Sequence, residues 1–114
     1  MGYLLYGRPA EEIEIEDRIL AHVKIVILAK LRRDESFALS FEHDVADGSG
    51  RSTIWLHPSI PLQFNFLGSR QPMINRAWLE TLVVAANSND GLRLLPEPPD
   101  VTTGPVPAGS VSKK

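Results

Sequence analysis

A chain of 114 residues, 43% of them apolar, has room for one domain with a substantial core and no second. Twelve Lys and Arg against fourteen Asp and Glu leave a formal net charge of -2, which disfavours holding nucleic acid by general phosphate attraction but leaves room for a local basic patch. Without cysteine there is neither a disulfide nor a thiolate zinc site, and no apolar run reaches the length of a bilayer span, so a cytoplasmic protein with no membrane contact is expected.

In chain order, Gly2 to Gly7 reads as a short strand apolar on both faces, turned by Gly7, Arg8 and Pro9. Glu12 to Glu16 follows as an edge strand: Ile13 and Ile15 point inward, and Glu12, Glu14 and Glu16 form an acidic ridge that discourages pairing with a neighbour. The centre of the chain is Asp17 to Arg33, an unusually apolar helix. Ile19, Leu20, Val23, Val26, Ile27 and Leu31 fall on one broad arc, with Asp17 at the positive end of the dipole and Lys30, Arg32 and Arg33 at the negative end. Ala21, Ile25 and Leu28 form a second, narrower strip, suited either to a further layer of the fold or to a subunit interface.

Ser36 to Glu42 alternates with Phe37, Leu39 and Phe41 inward, and His43 to Gly50 reads as a hairpin turn built on Asp47-Gly48. Arg51 to His57 and Leu62 to Leu67 are further strands, separated by Pro58 and Pro61, which cannot continue a ladder. A second, ordinarily amphipathic helix is predicted from about Met73 to Asn87, capped near Gly91, before a last short strand at Leu92 to Leu95. From residue 96 to 114 the composition turns to proline and small polar residues, the signature of a disordered tail, so the domain is assigned to residues 1-95. The whole predicts an α+β domain with a small mixed or antiparallel sheet of about six strands and two helices on one face, in the order β-β-α-β-β-β-α-β.

Few chemistries survive inspection. The run DGSGRST lacks the first glycine and the lysine of a phosphate loop, Val45 and Arg51 standing in their places, and a strand follows where a helix is needed. The histidines at 22, 43 and 57 have no helical metal spacing, and His43, Asp44 and Asp47 fall short of a calcium loop. Ser59 near His57 has no glycine-flanked elbow, and an enzymatic reading around His57, Ser59, Arg76 and Glu80 is the weakest of three. No catalytic residue, cofactor or metal ligand is therefore assigned.

Two binding surfaces are predicted instead. If two helices cover one face of the sheet, the other displays Trp55 among Ser40, Arg51, Thr53, His57, Gln63, Asn65 and Arg93, a surface that can stack on a base, pack on a peptide or form half of a dimer. The strip Ala21, Ile25, Leu28 is the candidate for self-association. Asn75, Arg76 and Glu80 form a secondary cluster on the polar side of the second helix.

The segments MGYLLYG, DRILAHVKIVILAKLRRDESF, GRSTIWLHPSIPLQFNF and INRAWLETLVVAANSNDGLRLLPEP together resemble a family of small actinobacterial proteins of unknown function, many labelled ATP-dependent DNA ligase. That label implies a Lys-x-Asp-Gly motif carrying adenylate in a much larger nucleotide-binding domain. Here Lys24 precedes Ile25-Val26-Ile27, Lys30 precedes Leu31-Arg32-Arg33, and the other lysines end the chain, so the residues do not support ligation by this chain. The leading expectation is a non-catalytic interaction module that self-associates or takes a protein partner. The alternative is a nucleic-acid-binding accessory to DNA ligation or repair, with Trp55 stacking and Arg51, Arg32 and Arg33 meeting phosphates.

Overall fold

A computed structural model describes residues 1–42 and 50–99. The turn expected at His43 to Gly50 lies, except for Gly50, outside the described residues, as does the tail from residue 100. The elements follow the expected order: β1 (Gly2–Tyr6), β2 (Glu11–Ile15), α1 (Asp17–Arg32), β3 (Phe37–Glu42), β4 (Arg51–Leu56), β5 (Leu62–Asn65), α2 (Arg76–Ala86) and β6 (Leu92–Arg93).

The alternation of apolar residues sets which side of each strand is buried, and pairing then divides the six strands between two sheets. One is wholly antiparallel, in the order β2-β1-β5. The other is mixed, in the order β4-β3-β6, with β6 parallel to β3. Leu4, Ile13 and Ile15 face inward from the first, and Phe37, Leu39, Leu56 and Leu92 from the second. Rather than sharing one sheet, α1 packs on β1 while α2 packs on β3 and β6, and the helices pack on each other. One continuous core results, in which Leu20, Val23 and Ile27 of α1 meet Trp78, Leu82 and Ala86 of α2. Tyr6 ties the sheets together by donating its hydroxyl hydrogen to the Trp55 carbonyl at 2.7 Å.

Helix ends are set by specific contacts. After α1, the amide of Glu35 bonds the Lys30 carbonyl at 3.1 Å and that of Asp34 bonds the Leu31 carbonyl at 3.0 Å, with Asp34 at φ 59, a left-handed cap of the Schellman type. The second helix starts later than its apolar period suggests. Met73 gives its carbonyl to Arg18 and Asn75 gives its amide to His22, so the backbone leading to α2 is held extended by α1. Gly91 sits at φ 80, where a Cβ would lie 2.6 Å from the Ala38 carbonyl oxygen, so only glycine lets β6 reach β3.

Candidate functional site

The outer face of the mixed sheet follows from its register. Trp55 lies opposite Ala38, Thr53 opposite Ser40, and Arg51 opposite Glu42, with Arg93 of β6 on the far side of Ser40. Cross-strand partners share a face, so these residues form one surface. The Ser40 and Thr53 hydroxyls are 2.8 Å apart, and Trp55 is 55% exposed above them. Trp55 stands in solvent, and not all of the residues predicted for this surface are brought together there. Gln63 and Asn65 belong to the other sheet, where they lie opposite Leu5 and Tyr3 and hydrogen-bond each other at 2.9 Å. A break in pairing between β4 and β5 separates them, which alternation within either strand cannot reveal.

His57 follows β4 and is turned in on its own loop. Its Nδ1 accepts the Ser59 amide at 3.0 Å and lies 2.8 Å from the Ser59 hydroxyl. Among the described residues no carboxylate is hydrogen-bonded to this ring, so nothing orients it as a general base, and the pair is a local contact within its own loop. Arg76 and Glu80 are exposed on α2, with no hydrogen bond or ion pair joining them to His57 among the described residues.

On α1, Ala21 is half-buried, and Ile25 and Leu28 are each 40% exposed. Ala21 and Ile25, with Lys24, form one wall of a groove of about 450 Å³ whose other wall is the segment from Phe66 to Ile74. That segment is anchored by Asp17, whose carboxylate accepts the amides of Gly68 at 2.8 Å and Leu67 at 3.3 Å. The Gly68 bond above all, with the Leu67 bond, holds the Asp17 carboxyl below the usual range. Asp17 thus does more than complement the helix dipole.

A buried polar cluster escaped the sequence reading. His22 is fully buried; its Nε2 accepts the Asn75 amide at 2.8 Å, so the proton sits on Nδ1 and is donated to the Arg18 carbonyl at 2.8 Å. The ring also lies 4.5 Å from that of Trp78, whose indole donates to the Leu95 carbonyl at 3.0 Å. Asn75, placed by periodicity on the polar side of α2, is instead its buried N-cap. Its Oδ1 accepts the Trp78 amide at 3.1 Å, and its Nδ2 donates to Glu97 and to the Pro98 carbonyl. The Arg18 guanidinium grips both oxygens of Glu97, and this together with the Asn75 bond brings the Glu97 carboxyl down to about 2. The signal available was an asparagine just before a helical period, a standard cap position, and a histidine in an apolar arc that must find partners. Residues 96–99, expected to open the tail, are here part of this cluster through Glu97 and Pro98.

The compact basic group at the end of α1 is likewise reduced. Lys30 is buried, donating to Glu35 at 3.0 Å and to Asn87 at 2.6 Å over the Phe37 ring, while Arg33 lies 3.4 Å from Glu35. The Lys30 bond, foremost, lowers the Glu35 carboxyl.

Residues 1–97 match the family described as Domain of unknown function (DUF7882). The chain belongs to that family. Its match ends on Glu97, the carboxylate that Arg18 and Asn75 hold. No curated protein and no solved structure matches the chain. The family description indicates no catalytic class, and among the described residues no three metal-ligating side chains cluster and no helix is long and apolar enough to cross a membrane.

Proposed function

We propose that this chain is a non-catalytic interaction module that associates with a second copy of itself through Ala21, Ile25 and Leu28. The observation that carries the reading is the exposure of Ile25 and Leu28, nearly one turn apart on a helix whose other sides are already packed. Apolar area left in water contributes roughly 25 cal/mol per Å² when a partner covers it, and two adjacent side chains of this size on a helix are a natural nucleus for a symmetric contact. Sedimentation velocity across a wide concentration range tests it. The wild type is expected to sediment as a dimer, and Leu28→Glu to shift the equilibrium toward monomer by at least about tenfold, since an interfacial charge left unpaired is costly. A wild-type chain that stays monomeric at high concentration sinks the reading.

The exposure of Trp55 on a sheet face that also carries Arg51 and Arg93 supports a second reading, single-stranded nucleic acid bound by stacking, as an accessory to DNA ligation or repair would need. Fluorescence separates the two, with Trp55→Phe reporting the contribution of the buried Trp78. Quenching of Trp55 by single-stranded DNA that weakens steeply with salt supports stacking, and an unresponsive Trp55 removes it.

A further inference from the structure

The groove between α1 and the segment 66–74 carries a charge pattern that self-association does not explain. Its lining is mainly apolar, from Ala21, Ile25, Phe66, Pro72 and Ile74, but Lys24 and Arg70 also line it. Among the described residues neither cation is paired with a carboxylate; the Lys24 ammonium lies 5.5 Å from the centre of the Phe66 ring. Asp17 adjoins this wall through the amides of Leu67 and Gly68, which its two oxygens accept, and it makes no ion pair with either cation among the described residues. An apolar groove lined by two cations that make no ion pair among the described residues, against the single charge of Asp17 at its edge, complements an anion with an apolar body. The volume lies within the roughly 300–1,000 Å³ common for small-ligand sites.

We propose that this groove binds a single-chain amphipathic carboxylate, its chain along Ile25 and Phe66 and its charge neutralised by Lys24 and Arg70. An extended peptide is the poorer fit, because each of its residues brings a backbone donor and acceptor, and the lining offers few polar side chains beyond Ser69 and Gln71. A fatty carboxylate brings one polar end only. The inference goes beyond self-association: Ala21 and Ile25 serve both surfaces, but Leu28 lies outside the groove, and Lys24 and Arg70 lie outside the self-association strip.

Isothermal titration of the full chain with dodecanoate below its micelle concentration tests it, with dodecanol and acetate as controls and Lys24→Gln, Arg70→Gln and Leu28→Glu as variants. Saturable binding of about one dodecanoate per chain is expected, weakened about tenfold in each charge-removing variant, weaker for dodecanol, absent for acetate and retained in Leu28→Glu. Retention in Leu28→Glu, or binding by a wild type that proves monomeric, supports the groove even where self-association fails. Urea midpoints matching the wild type establish that Lys24→Gln and Arg70→Gln remain folded. The proposal is overturned by no saturable binding, by equal affinity in the charge-removing variants, or by a chain that ignores monomeric dodecanoate yet co-sediments with phosphatidylglycerol vesicles.

Discussion

Asn75 uses its whole amide: the oxygen caps α2 and the nitrogen holds the Glu97 carboxylate and the Pro98 carbonyl. Asn75→Ala removes the cap and strands buried partners, and is expected to lower unfolding free energy by about 1–3 kcal/mol in urea titrations. Glu97 adds a pH dependence. Its carboxyl is brought from 4.5 to about 2 by Arg18 first and Asn75 second, so the folded state binds fewer protons than the unfolded chain across that interval. Its contribution is therefore fully present above pH 4.5 and is lost as the pH falls toward 2; in Glu97→Gln that part of the acid dependence should vanish from a pH series of urea midpoints. Gly2 is a steric position, where a Cβ would lie 2.6 Å from the Asn65 carbonyl oxygen and 2.7 Å from Asp17 Oδ1. Gly2→Ala should cost about 1–3 kcal/mol, because backbone on the neighbouring strand cannot yield as a flexible side chain can. Which side of β4 carries Trp55, though not its exposure, could be read from the sequence because alternation within one strand decides it. The burial of Asn75 could not, since it depends on His22 and Glu97, far away in the chain.

At the level of elements, α1 ends by closing its last carbonyls with Asp34 in a left-handed conformation that suits glycine better. Asp34 also places a carboxylate at the negative end of the helix dipole. Asp34→Gly relieves both and is expected to raise stability by up to about 1 kcal/mol, read as a higher urea midpoint with unchanged slope. Strand alternation and the apolar arc of α1 set the expected elements because both are periods of the chain itself. The apolar period suggests a start for α2 near Met73, yet the helix begins at Arg76, because Met73 and Asn75 surrender backbone groups to Arg18 and His22. Local propensity cannot register a hydrogen bond made to another helix.

For the whole molecule, the core spans both sheets and both helices, and the segment through Pro98 closes one end of it. A chain ending at Pro99 is expected to keep the wild-type urea midpoint and one ending at Leu95 to lose part of it, since only the second deletes Glu97 and the Pro98 carbonyl; equal midpoints would place the domain edge at 95 after all. The α+β class, the order of the elements, the acidic edge of β2 and the inward faces of the strands were determined by the sequence alone, because period, charge and turn chemistry act over a few residues. Tertiary structure alone decided that six strands make two sheets, that Trp55 and Gln63 part company, and that Lys24 and Arg70 share a groove. Those outcomes depend on which distant segments pair and pack, a choice made by mutual burial across the chain that no local pattern encodes.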